Sequence, residues 1–286
     1  MFLDILKDTV IDCLKLLPFL LVTYALMEAI ERKTGERLAD AIGKAGKSGP
    51  VLGALLGVFP QCGFSAAASN LYSAGLINMG TLLAVFMSTS DEMIPVFIAE
   101  RAGAGTIAKL LIAKFLIACL SGYLIVFLTR KFFAEREEAL RAHRQEHGHD
   151  CSGDGHGIVS EVLIRTVKTT AIIFAITFCL NGAIGLMGQD ALTAVFRDVP
   201  VLGELIAGLV GLIPNCAASI LISQLYLSGV IGPGAMMSGL LVSAGAGMLV
   251  LFEENRNLKE NFTVVGILYA ISVVWGVLIE ASGIAF

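Results

Sequence analysis

Charged residues are scarce in this chain of 286 residues: Asp, Glu, Lys and Arg together make up 15%, whereas hydrophobic residues make up 56%. The mean hydropathy is +0.81. A soluble domain of this length could not bury so much apolar surface. The net charge of −4 is divided among loops and indicates no particular partner. The composition therefore argues against a soluble protein and predicts an all-α polytopic integral membrane protein.

Several motifs that carry chemistry are also missing from the sequence. There is no Gly-rich P-loop, no nucleophile–base constellation and no basic patch for nucleic acid. These absences argue against an ATP-driven pump, a membrane enzyme and a nucleic-acid-binding protein. A cleavable signal peptide is not expected, because Asp4, Lys7 and Asp8 interrupt the N-terminus. Five of the six cysteines lie in apolar segments, which gives no indication of a disulfide framework.

Long apolar runs are what the chain does have. Six are long enough to cross a bilayer or nearly so, at about 16–31, 78–99, 107–129, 169–187, 235–252 and 263–285. A hydrophilic insert at 131–157 lies between the third and the fourth run. We therefore divide the chain into a first membrane repeat at 1–130, a linker at 131–157 and a second membrane repeat at 158–286.

The chain contains an internal duplication. Its clearest copies are the stretches 55–80 and 209–234, which are related by a constant offset of 154 residues. They share 11 identities in 26 positions, where chance would give about two. The identical pairs are Leu55/Leu209, Gly57/Gly211, Pro60/Pro214, Cys62/Cys216, Ser65/Ser219, Ser69/Ser223, Leu71/Leu225, Tyr72/Tyr226, Gly75/Gly229, Ile77/Ile231 and Gly80/Gly234. Each copy places a proline inside an apolar run. Paired interrupted segments of this kind indicate the binding site of a transporter.

Clustered basic residues predict the topology. The loop after the first apolar run carries Arg32, Lys33, Arg37, Lys44 and Lys47, and the insert region carries Arg130, Lys131, Arg136, Arg141 and Arg144. Both regions are expected in the cytoplasm, so an even number of crossings must separate them. The segment at 50–75 should therefore enter the membrane and return as a re-entrant hairpin broken near Pro60. Its first arm of about ten residues would span ~15 Å, or half a bilayer.

The same reasoning gives the second half the opposite orientation. The predicted fold is an inverted-topology repeat in which each half has three transmembrane helices and one re-entrant helical hairpin. The linker would be cytoplasmic and both termini would lie outside. The alternative is that each broken segment is one continuous crossing, which would make the repeats parallel but would place one strongly basic loop outside.

The two hairpin tips are the first candidate site. Pro60 and Pro214 break the helices and free backbone groups near the midplane. The tips supply two amides, two thiols and two hydroxyls, from Gln61, Cys62 and Ser65 in the first half and from Asn215, Cys216 and Ser219 in the second. Bare N–H groups at the new helix starts favour an anion, and the freed carbonyls favour a cation. The alternative is a purely structural hairpin with small residues for close packing.

The second candidate is a polar run about halfway along the apolar segment at 78–99. It contains Ser88, Ser90, Asp91 and Glu92, and carboxylates at that depth are usually functional. If this segment is one helix, Ser88 and Asp91 share a face. The equivalent stretch, which begins at Ser243, has no charge. We expect the carboxylates to have a role in cation or proton coupling. The alternative is a buried ion pair, because Lys114 matches Asp91 and Glu92 in depth; such a pair could also break during transport.

The linker holds a third candidate, a weak metal-binding or sensing loop. Its donors would be His143, His147, His149, Cys151 and His156, since imidazole and thiolate suit Zn²⁺ and similar ions. The spacing matches no closed structural zinc site. The alternative is a solvated Gly-rich linker.

The motifs FPQCGFS, IPNCAAS and STSDE, together with the His-rich insert, resemble a bacterial family of ten-segment heavy-metal exporters, also described as arsenic efflux proteins or manganese transporters. The resemblance covers essentially the whole chain and is most specific at the paired Pro-x-Cys tips. It implies efflux of a metal or metalloid ion across the inner membrane. Oxygen donors such as Asp91 and Gln61 suit a Mn²⁺-like cation, whereas Cys62 and Cys216 would suit an arsenical.

We therefore expect a secondary active exporter of a metal or metalloid ion, coupled to H⁺ or Na⁺ through Asp91 or Glu92. The alternatives are a transporter of a small inorganic or organic anion and, less well supported, an ion channel. No cofactor is expected beyond the transported or coupling ion (Mn²⁺, Na⁺ or H⁺). The partners would be the ion substrate and the lipid bilayer, without nucleic acid, and the apolar outer surface leaves room for a homodimer.

Overall fold

The structure is a computed structural model. It describes residues 48–59, 62–90, 93–129, 202–214, 216–255 and 257–284, residue 286, and scattered positions between 7 and 22 and between 163 and 178. All regular secondary structure in the described part is helical. Its helices are α1 (Gly49–Val58), α2 (Cys62–Ser73), α3 (Met79–Ser88), α4 (Met93–Ala99), α5 (Ala104–Leu128), α6 (Leu202–Gly211), α7 (Cys216–Leu227), α8 (Pro233–Val242), α9 (Ala246–Glu254) and α10 (Leu258–Ser282).

Four helical stretches in the described part are long and apolar enough to cross a membrane. They are Met79–Ala99, Ala104–Leu128, Pro233–Glu254 and Leu258–Ser282, and they correspond to four of the six predicted runs. The other two predicted runs, at 16–31 and 169–187, lie almost entirely outside the described residues. The helical, multi-pass membrane character of the chain is thus confirmed.

The duplication seen in the sequence is also present in the helices. Helices α2, α3 and α5 begin 154 residues before α7, α8 and α10, respectively. The turns that follow α2 and α7 contain Gly75 and Gly229, with φ angles of 72° and 73°. Only glycine adopts this left-handed conformation without strain, which explains why both copies of the sequence have glycine there.

Within each half, glycines allow helices to approach closely. A methyl group added at Gly49 would collide with the Thr81 hydroxyl, and one added at Gly57 would collide with the Ser88 hydroxyl. The N-terminal end of α1 therefore lies beside that of α3, and the two C-terminal ends also lie together. Helix α5 packs on α3 in the opposite direction, with Gly122 against Gly80. Helices α6, α8 and α10 repeat this arrangement in the second half.

Between the halves, the helices pack crosswise: α2 lies against α9, and α7 lies against α4. The Ser69 hydroxyl donates a hydrogen bond to the Gly247 carbonyl oxygen (2.6 Å). Phe97 stacks on Tyr226 with ring centroids 6.3 Å apart. The Trp275 indole N–H donates to the Ser121 hydroxyl (2.9 Å), which ties α10 to α5. The two halves therefore share one continuous core.

One expectation about helix geometry is wrong. The polar run after residue 87 does not lie within a continuous helix, because α3 ends at Ser88 and Thr89 is its C-cap with φ −54° and ψ 128°. Ser90 is also non-helical. The inference that Ser88 and Asp91 share a helix face therefore fails. The equivalent stretch is broken too, and there Gly245 adopts φ 53° and ψ −137°, a conformation essentially restricted to glycine.

Candidate functional site

The candidate site lies where the interrupted helices come together at the centre of the bundle. Helices α3 and α8 both end there, and Lys114 of α5 reaches both ends. Its Nζ donates hydrogen bonds to the Thr89 carbonyl oxygen and to the Leu240 carbonyl oxygen (3.1 Å). The Lys114 side chain is only 1% exposed. One ammonium group thus bridges the first and second halves through backbone oxygens.

The first turns of α2 and α7 approach the same region. Ser65, in the first turn of α2, is fully buried against Gly247 near the start of α9. Ser219, in the first turn of α7, shares a 2.6 Å hydrogen bond with Ser243, the C-cap of α8. Each helix start therefore lies beside a helix break of the second half. The N-terminal ends of α2 and α7, which carry partial positive charge, therefore lie near the C-terminal ends of α3 and α8, which carry partial negative charge.

Hydroxyl groups line the end of α3. Ser88 donates to the carbonyl oxygens of Ala84 (2.8 Å) and Val85 (3.0 Å). Ser90 donates to the carbonyl oxygen of Ser88 (3.0 Å). Both serines are buried, with 0% and 2% exposure. Of these acceptors, only the Ser88 carbonyl oxygen lacks an intrahelical donor, since the Val85 carbonyl oxygen also accepts from the Thr89 N–H. The two hydroxyl oxygens lie at the break.

Some of the predicted site residues lie outside the described part of the chain. These are Pro60, Gln61, Asp91, Glu92, Asn215, His143, His147, His149, Cys151 and His156. Cys62 and Cys216 are the first residues of α2 and α7, and the direction of their side chains is not described. Pro214 lies in the interruption between α6 and α7, as predicted. Among the described candidates, Ser219 contacts Ser243 and Ser65 packs against Gly247. Ser90 contacts Ser88 at the end of α3, where Lys114 reaches the Thr89 carbonyl oxygen.

Sequence reasoning missed several participants. The carbonyl oxygens of Thr89 and Leu240 have no residue-type signature, because every residue carries a carbonyl. Ser69, with its bond to Gly247, was identified only as part of the repeat. The Gly245-x-Gly247 pair was the available signal, since two glycines in an apolar span suggest a break or a close approach.

Oxygen atoms dominate the described part of this region. No group of three or more His, Cys, Asp or Glu side chains in the described part could hold a metal ion. The groups available there are serine hydroxyls and helix-end carbonyls, which suit hard cations such as Na⁺ and Mn²⁺. A substrate ion bound here would need further donors from the predicted positions next to the breaks, such as Asp91.

Comparison with known protein families identifies the family of the chain. A family model described as "Putative, 10TM heavy-metal exporter" matches residues 1–187, nearly two thirds of the chain. No curated protein and no solved structure matches the chain. The family expected from the sequence motifs is thereby confirmed; the match includes the first Pro-x-Cys motif and ends before the second, at 214–216. The chain belongs to this 10TM heavy-metal exporter family of membrane-embedded, multi-pass transporters.

Proposed function

We propose that this protein is a secondary active transporter that exports a metal or metalloid ion by alternating access around the central site. The observation that carries the proposal is the convergence of four helix ends, those of α2, α3, α7 and α8, on one buried region spanned by Lys114. Interrupted helices that meet near the midplane are how many transporters bind ions without dedicated cages.

The re-entrant hairpin is the first part of this proposal. Helix α1 begins beside the start of α3, at Gly49 and Thr81. Helix α2 ends at Ser73, only six residues before α3 begins at Met79. Six residues reach ~20 Å at most, which is less than the ~30 Å hydrocarbon core. The arrangement supports a hairpin in which α1 enters and α2 returns to the same side.

Inversion of the second half is the next part. Helix α2 runs alongside α9 in the same direction, since Ser65 and Ser69 lie at Gly247 and Tyr72 reaches Glu260 at the start of α10. If α2 runs from the centre to the cytoplasmic face, then α9 does too. Helix α8 must then arrive from the opposite face. These contacts support an inverted repeat with the 131–157 linker in the cytoplasm and both termini outside.

A cysteine-labelling experiment tests this topology. Ser48→Cys and Leu76→Cys place thiols at the two ends of the hairpin and, in a variant without native cysteines, should react with an impermeant reagent from the same face. Labelling from opposite faces would show that the segment crosses the membrane. Ser282→Cys, at the end of α10, should be labelled from the other face and serves as a control.

The substrate would be a Mn²⁺-like divalent cation or an arsenical, with export coupled to H⁺ or Na⁺ through Asp91 or Glu92. The oxygen-rich surroundings of Ser88, Ser90 and Ser243 support the cation. The positions of Cys62 and Cys216 at the helix starts leave the thiophilic alternative open. A small anion is the second candidate, because the positive N-terminal ends of α2 and α7 both point into the region.

An efflux assay separates these alternatives. Cells carrying the wild type, Asp91→Asn or the Cys62→Ser/Cys216→Ser pair are measured for efflux of Mn²⁺, Zn²⁺, arsenite and phosphate. Loss of Mn²⁺ efflux in Asp91→Asn alone supports the hard cation, and loss of arsenite efflux in the cysteine pair supports the arsenical. Cys119→Ser, in α5, is the matched thiol control and should behave as the wild type. Unchanged efflux in both test variants would disprove the proposed site.

A further inference from the structure

Lys114 lies where the C-terminal ends of α3 and α8 meet. Thr89, the C-cap of α3, uses its N–H for the Val85 and Phe86 carbonyl oxygens and offers its own carbonyl oxygen to Lys114. Leu240 lies in the last turn of α8, which ends at Val242, and its carbonyl oxygen accepts from Lys114 at 3.1 Å. The last carbonyl groups of a helix have no intrahelical partner. Lys114 supplies one partner to each helix.

The ammonium group and the two helix ends at this point carry charges of opposite sign. Each helix C-terminus carries about −0.5 elementary charge, so two such ends together present about −1 to a region that excludes water. A single ammonium group carries +1. A buried ammonium is costly unless it is paired and hydrogen-bonded, and the two converging helix ends provide that environment. A cation between the ends of α3 and α8 therefore favours their convergence.

The second half of the repeat has no lysine at the position equivalent to Lys114. The position equivalent to Lys114 in the second half, 154 residues later, is Leu268, which is also 1% exposed. At this position the duplicated scaffold therefore carries one charge rather than two, and the ammonium group contacts both halves. A residue needed only for packing would have no reason to differ in charge between two equally buried positions.

We propose that the Lys114 ammonium is a tethered cation occupying a carbonyl-lined cation site between the two repeats, and that this site accepts a small monovalent cation when the tether is removed. In the intact protein, Lys114 then holds α3 and α8 together in the state with these contacts. Transport would require the ammonium to leave at least one carbonyl as the halves move. This inference rests on the proposed function only where ion efflux is measured. The Tm measurements test the cation site independently of transport.

Chemical rescue in the purified full-length protein tests the site. Lys114→Ala leaves space for a propylammonium ion beside the Thr89 and Leu240 carbonyls. We expect Lys114→Ala to lower the Tm by about 10 °C, since removing one member of a buried polar pair is strongly destabilising. Propylammonium chloride should restore at least half of that loss. Choline chloride at the same concentration keeps the ionic strength equal, and its cation is too large for the space.

Two controls separate charge from packing. Propanol has the size of propylammonium without its charge, so it should not rescue Lys114→Ala. Leu268→Ala makes a comparable cavity at the equivalent position, and propylammonium should raise its Tm no more than propanol does. Equal rescue by propanol and propylammonium, or selective rescue of Leu268→Ala by propylammonium, would overturn the proposal.

A second variant keeps the test decisive if Lys114→Ala does not fold. Lys114→Met preserves most of the side-chain volume and should still lower the Tm and slow ion efflux at least tenfold. Wild-type Tm and efflux in Lys114→Met would overturn the tethered cation. If the wild type itself exports none of the ions in the panel, the proposed function fails, yet the Tm rescue of Lys114→Ala still decides the cation site.

Discussion

Replacement of Gly247 by alanine should force the two halves of the protein apart. A Cβ atom at this position would lie 2.6 Å from the Ser65 Cβ and 2.8 Å from the Ser65 carbonyl carbon and oxygen. Because these are backbone and near-backbone atoms, a side-chain rotation cannot relieve the clash. Helix α9 would have to move away from α2 by about 0.8 Å to reach ordinary contact at 3.4 Å.

The expected magnitude follows from three terms. Overpacking costs about 1–3 kcal/mol, and weakening of the 2.6 Å bond from Ser69 to the Gly247 carbonyl adds ~1 kcal/mol. Alanine recovers ~1 kcal/mol of helix propensity. The net loss is ~1–3 kcal/mol, which corresponds to a fall in Tm of about 2–12 °C for a domain of this size.

Gly266→Ala is the matched control, because it introduces the same methyl group in α10 where nothing lies within 4 Å. It should leave the Tm unchanged or raise it by a few degrees. Thermal unfolding in detergent, followed by circular dichroism, measures both variants. Ion efflux should fall in Gly247→Ala alone. Equal Tm values for Gly247→Ala and Gly266→Ala would refute the close packing of α9 on α2.

Two further predictions concern hydrogen bonds made by carboxylates at helix ends. Tyr72→Phe removes the hydroxyl that donates to the buried Glu260 side chain and should cost about 1.5–3 kcal/mol. Tyr226→Phe, its counterpart in the repeat, loses a longer, part-buried bond to a Phe286 backbone oxygen (3.2 Å) and should cost about 1 kcal/mol or less. Equal denaturation shifts in the two variants would contradict the stronger stabilisation expected of the buried bond. Glu280→Gln weakens the 2.7 Å bond from the Gly234 N–H at the start of α8, so the Tm should fall by about 2–4 °C; an unchanged Tm would mean that this cap does not stabilise α8.

The sequence by itself determined the features that depend on local chain properties. Apolar runs predicted four of the described spans, because a bilayer imposes a fixed length of apolar helix. The offset of 154 predicted the paired helices, since each half must bury the same pattern of small residues. Pro60 and Pro214 predicted where the helices are interrupted, and the helix before each interruption, α1 or α6, has ten residues. Gly75 and Gly229 were seen only as identities, yet both have positive φ.

Only the tertiary structure decided how the helix ends meet. The polar run at Ser88 looked like the middle of a helix, because the propensities of serine and threonine do not forbid one, but α3 ends there to place its last carbonyls near those of α8. Two hydrogen-bond partners of Lys114 are carbonyl oxygens, 25 and 126 residues away along the chain. Backbone groups are the same at every position, so a sequence cannot say which of them will be left without a helical partner or which side chain from a distant helix will reach them. Folding decides both, because a buried charge and unpaired carbonyls are each costly alone and stable only together.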